Sequence, residues 1–141
     1  MTSTWARVVV IVAVSSFVAP GLAQVTKSAP IPVEVRYGGD DDLTLKLRGT
    51  LENAVRLSGY FSLNIGNVPG TLIIKIPANV ERDPGMRYRL FYSVEFTSTD
   101  DQFVAKVSGA CWDDKLSTCA RQIIATARVA ARKLKASELR P

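Results

Sequence analysis

From Tyr88 to Thr97 the chain keeps one strict period. Tyr88, Leu90, Tyr92, Val94 and Phe96 fall on one side, Arg87, Arg89, Ser93, Glu95 and Thr97 on the other, and Phe91 alone interrupts the polar set. Period two over this length describes a strand with one dry face. After the turn residues Thr99-Asp100-Asp101, Phe103, Ala105 and Val107 alternate with Val104, Lys106 and Ser108, so the two runs predict an antiparallel hairpin. Upstream, Leu72-Ile73-Ile74-Lys75-Ile76 is rich in β-branched residues and bounded by Gly70 and Pro77, which suits a central strand covered on both faces. A dry face of this extent demands a cover, because an open sheet with exposed aromatics aggregates.

The cover is the segment from Lys115 to Lys135. At helical spacing, Leu116, Cys119, Ala120, Ile123, Ile124, Ala127, Ala130, Ala131 and Leu134 share one broad face, and its alanines allow close approach to a sheet. Beside that face Arg121, Arg128, Arg132 and Lys135 gather into a narrow basic stripe, the candidate contact for an anionic partner. The plainer reading is that their stems cover apolar surface and that cations suit the C-terminal half of a helix.

Residues 1–23 combine Arg7, an apolar run from Val8 to Val14, Pro20 and a small-residue end at Gly21-Leu22-Ala23, the pattern of a secretory signal cleaved before Gln24. The run is well short of the ~20 apolar residues a membrane span needs, so no stable span is expected after cleavage. A short leader follows at 24–30. Ile31, Val33 and Val35 alternate as a first strand, and Asp40-Asp41-Asp42 stand where a helix N-terminus wants anions and a capping oxygen. Leu43, Leu47, Leu51 and Val55 then recur as one helical face, Glu52 and Arg56 form a favourable i,i+4 pair, and Ser58-Gly59 supplies the stop. Against that helix stand the strand-like alternation of Leu43, Leu45 and Leu47 and the presence of Gly49. Phe61, Leu63 and Ile65 predict the next strand, and Asn79 to Met86 reads as a polar loop. The expected fold is therefore α+β: one small domain over 31–136 and a tail at 137–141. Its mixed or antiparallel sheet has about five strands packed by two helices, in the order β-α-β-β-β-β-α.

Cys111 and Cys119 are an even pair in a chain read as exported, one ending a strand and the other early in the last helix, and predict a disulfide pinning helix to sheet. They are too widely spaced for a thioredoxin-type motif, and no second pair or histidine completes a zinc set. Trp112 is expected to pack on the disulfide, and Asp113 or Asp114 to cap the last helix. The chain contains no histidine at all, which removes the usual general base and the commonest metal ligand. Its serines lack a histidine partner and a Gly-x-Ser-x-Gly elbow, and the aspartate run lacks the spacing of a calcium loop. No catalytic residue, metal or cofactor is expected. The net charge of +5 favours solubility and weak attraction to acidic surfaces, while export argues against a nucleic-acid role.

The stretch Leu47-Arg48-Gly49-Thr50-Leu51-Glu52-Asn53-Ala54-Val55-Arg56-Leu57-Ser58-Gly59-Tyr60-Phe61 and the strands after it resemble the anticodon-binding-domain-like fold of bacterial envelope proteins, such as the TolB amino-terminal domain and the activators of penicillin-binding proteins. That resemblance implies a binding module without catalysis. The expected function is thus a periplasmic or secreted interaction domain that docks an envelope protein through a sheet edge or the basic stripe. The alternative is a carrier holding a small apolar or anionic ligand between helix and sheet.

Overall fold

A computed structural model describes residues 28–66 and 68–138, so the expected signal segment lies outside the described residues, as does the chain after 138. The elements are β1 (Ile31–Tyr37), α1 (Asp42–Leu57), β2 (Phe61–Leu63), β3 (Leu72–Ile76), β4 (Glu81–Arg82), β5 (Arg89–Thr97), β6 (Phe103–Trp112), a 3-10 turn (Asp113–Lys115) and α2 (Leu116–Glu138). β1 runs parallel to β2, with Ile31 opposite Phe61, and to β3, with Val35 opposite Ile74. β5 is antiparallel to β3, with Ile74 opposite Phe96, and pairs with β6 along its whole length. The fold class matches the sequence reading, with one strand more.

That strand is β4. It lies inside the expected polar loop and pairs Glu81 with Phe91 and Arg82 with Leu90, taking the length of that edge of β5 that β3 does not reach. Both of its residues are exposed, so no apolar period announces it.

Both helices lie on one face of the sheet. Val33, Leu72, Ile74, Leu90, Val94 and Phe96 are fully covered there by Leu47, Leu51, Val55, Ala120, Ile123 and Ala127. Burying each of the larger aliphatic side chains contributes roughly 1.5–3 kcal/mol. The opposite face is open: Lys106 pairs with Glu95 at 3.6 Å, Arg36 with Glu34 at 2.8 Å, and the Ser108 hydroxyl donates to Ser93 at 3.3 Å. β3 is central, as expected, yet helices cover one of its faces rather than both; Lys75 is exposed on the other, while Ile73 is buried between Glu34 and Thr97 in register.

Local chemistry sets the ends of α1. Asp41 is extended, and its carboxylate accepts the Thr44 N–H at 3.1 Å. At the other end the Ser58 hydroxyl donates to the Val55 carbonyl at 2.8 Å and accepts the Phe61 N–H at 3.2 Å, and Gly59 turns the chain at φ +61. The helical period of the four apolar residues outweighs the competing alternation, because Leu45 is exposed while Leu43, Leu47, Leu51 and Val55 are buried. Glu52 pairs with Arg48 at 2.7 Å instead of with Arg56, and Arg48 also lies 4.3 Å above the Tyr37 ring. β2 stops at Leu63; the Asn64 N–H still donates to the Val33 carbonyl at 2.8 Å, and Ile65 beyond it is 98% exposed.

Two expectations near the last helix are overturned. Neither Asp113 nor Asp114 caps α2: the backbone enters through the 3-10 turn without a side-chain cap, and the Asp113 carboxylate takes the Arg82 guanidinium at 3.0 Å. Trp112 does not share the disulfide's face, since it follows Cys111 in β6 and the pleat turns it to the open side, opposite Arg89 and about half exposed.

Candidate docking site

The expected disulfide is present. Cys111 and Cys119, with Cα atoms 5.8 Å apart, join the end of β6 to the first turn of α2, and both are buried. Closing so short a loop contributes about 2–3 kcal/mol on the chain-entropy estimate. A second tie lies further along, where the Tyr92 hydroxyl on β5 donates to the Gln122 side-chain carbonyl on α2 at 2.8 Å. Burial pushes the Tyr92 phenol upward. Together the two ties hold α2 across β5 and β6 and beside α1.

Between the helices, on the side away from the sheet, lies an open groove of about 450 Å³. Thr50, Asn53, Ala54 and Leu57 form one wall, and Ala120, Arg121, Ile124, Ala125 and Arg128 the other. Leu57 is 79% exposed at the rim, an apolar side chain that the fold leaves unburied. A second hollow of about 550 Å³ shares Ser58 and Arg128 with the first and adds Ile31, Tyr60 and Lys135. Arg128 stands where the two meet, its guanidinium 5.5 Å from the centre of the Tyr60 ring.

The four residues of the predicted stripe separate here. Arg121 and Arg128 line the groove, Arg128 and Lys135 line the adjoining hollow, and Arg132 lines neither, donating instead from Nε to the Arg128 carbonyl at 3.3 Å. Arg121 reaches the Thr118 hydroxyl at 3.4 Å. All four are exposed, and among the described residues none is within ion-pair distance of a carboxylate, whereas Arg36, Lys46, Arg48, Arg82, Arg89 and Lys106 each have one. The sequence reading missed the contribution of α1. Leu57 was its available signal, because it falls off the apolar repeat yet is large and aliphatic.

The space between helix and sheet, where the alternative reading puts a carried ligand, is filled by Leu47, Leu51, Leu90, Val94, Phe96 and Ile123, each fully buried. The groove opens between the helices, and the second hollow beside the start of β1 and the α1–β2 turn. No described helix is long and apolar enough to cross a membrane.

No family model matches the chain, and no curated protein matches it. Among solved structures, a dodecamer of a single-substitution variant of PelC from Paraburkholderia phytofirmans is 16% identical at a TM-score of 0.47, covering 72% of this chain and 86% of that one. A minor lipoprotein from Acinetobacter baumannii is 12% identical at a TM-score of 0.41, covering 71% of this chain and 94% of that one. Neither is named as an anticodon-binding-like domain, and at these scores neither assigns a role to this chain.

Proposed function

We propose that the chain is an exported, non-catalytic interaction domain that docks a protein partner of the cell envelope through the α1–α2 face. The observation that carries this reading is the open groove with an apolar floor, rimmed by Arg121 and Arg128, neither of which has an acidic partner among the described residues. Apolar contact supplies affinity at such a surface, and unpaired charge at the rim supplies orientation and selectivity. Export is supported by the signal-like residues 1–23 and by the disulfide, which persists in oxidising compartments.

Photo-crosslinking in the source cell tests the reading. A photoreactive residue at Ala125 of α2 is expected to give an adduct of one discrete mass, and the same residue at Ser93 or Ser108 on the open sheet face is not. Equal labelling from both faces, or no discrete adduct from α2, would refute it. The groove volume also falls within the roughly 300–1,000 Å³ of small-ligand sites, which keeps a carrier as the second reading. Native mass spectrometry of the purified chain decides that alternative, since a carrier retains a bound small molecule of defined mass.

A further inference from the structure

We infer that the partner's docking element is an amphipathic α-helix with a row of carboxylates seven residues apart, lying lengthwise in the α1–α2 groove; this rests on the docking reading above. Arg121, Arg128 and Lys135 follow one another at intervals of seven along α2. At the rise of an α-helix their Cα atoms are about 10.5 Å apart per step, spread over about 21 Å. A single anionic head group, lipid or small molecule, meets one end of such a row and leaves the rest unanswered. An extended strand is also a poor match, because 10.5 Å is about three residues of strand and successive carboxylates would point to opposite sides. A second helix running beside α2 repeats its own side chains at the same rise, so one face of it meets all three cations.

The floor agrees. Ala54 and Ala125 permit close approach of a helix and Leu57 offers the larger apolar contact, above the buried Ala120 and Ile124. Among the described residues no acid lines either hollow: the one acid of α2 is Glu138 at its last residue, and α1 with its cap contributes only Thr50, Asn53, Ala54, Leu57 and Ser58 to the groove. With Leu57 exposed at the α1 rim of the groove, the bound helix places its apolar side against α1 and its carboxylates over α2.

The probe is a synthetic peptide of about six helical turns with a leucine face and three flanking glutamates at seven-residue spacing. Its controls are the same composition with two glutamates moved to the opposite side, and a version with lysine for glutamate. Binding to the oxidised mature chain is read by fluorescence anisotropy at low and high salt. The spaced-glutamate peptide is expected to bind about tenfold or more tightly than either control, to weaken with salt, and to lose that advantage on R121E/R128E/K135E, which should instead prefer the lysine peptide. Ala54→Trp, which fills the floor without touching the stripe, is expected to abolish binding of every peptide while the circular dichroism spectrum stays unchanged. Equal binding of the spaced and displaced peptides, no effect of the triple reversal, or preference for phosphatidylglycerol vesicles over all peptides would overturn the inference. If crosslinks form from α2 while the spaced peptide fails to compete with them, docking stands and the helical partner does not.

Discussion

Replacing Gly109 by alanine tests how tightly β5, β6 and α2 are keyed together. A Cβ on Gly109 would lie 2.6 Å from the Tyr92 hydroxyl oxygen, 2.8 Å from Cζ and 3.0 Å from Cε1, all well inside van der Waals contact. Gly109 is the residue opposite Tyr92 in the β5–β6 register, so the phenol ring lies across the space a side chain would occupy. Tyr92 is 4% exposed and hydrogen-bonded to Gln122, so the ring cannot yield without straining its rotamer or releasing α2. Overpacking costs about 1–3 kcal/mol, and losing the hydroxyl bond adds about 0.5–1.5 kcal/mol. Alanine recovers about 0.5–1 kcal/mol through the lower entropy of the unfolded chain. The steric cost wins, for a net loss of about 0.5–4 kcal/mol. Urea unfolding followed by far-ultraviolet circular dichroism measures it. A double-mutant cycle locates it, because Tyr92→Leu removes the colliding ring and G109A should then cost much less than in the parent. The reasoning fails if G109A unfolds at or above the parental midpoint, or if the two substitutions add within about 0.5 kcal/mol.

Gly49 is the opposite case: it is exposed in α1, and a Cβ added there would meet nothing within 4 Å; G49A should therefore stabilise by about 0.5–1 kcal/mol, read as a higher urea midpoint. Asp41→Ala should cost about 1 kcal/mol by removing the α1 cap, whereas Asp113→Ala should cost less than about 1 kcal/mol, because that carboxylate serves a partly exposed ion pair with Arg82 rather than a cap. The Tyr92 phenol is raised above its ordinary value of 10.0 by burial. Its contribution to stability is complete below that value and is lost as pH rises through the raised one, because the unfolded chain gives up the proton first. Stability measured by urea midpoint should fall as pH rises from about 10, and Tyr92→Phe should make that fall shallower; an identical slope in both proteins would count against a buried phenol.

Where one residue type and one period determine an element, the sequence is readable. The α1 cap at Asp41, the buried row Leu43, Leu47, Leu51 and Val55, the limits of β3 and the β5–β6 hairpin follow from local rules. The disulfide also follows, because two cysteines at adjoining ends of a strand and a helix have little else to meet. What escaped depends on tertiary placement. β4 is held by backbone bonds to β5 and has no apolar residue. Asp113 could cap only if the backbone entered α2 directly, and the 3-10 turn prevents that. Glu52 had two basic residues within reach, and only the position of Tyr37 beneath Arg48 shows why that one is held. The groove belongs to neither helix alone. The spacing of Arg121, Arg128 and Lys135 was visible in the chain, but the exposure of Leu57 and the separation of Arg132 from the hollows were not.

Among the described residues β6 is the longest strand, and it is paired there with β5 alone. Its outer margin is therefore a template ready for a further chain, with Lys106 as its one charged deterrent. The far margin, β2, is three residues long and offers almost nothing to join. Two copies meeting margin to margin at β6 would thus close on themselves about a twofold axis. In such a pair the short side would lie outermost, leaving little edge for a third copy to extend.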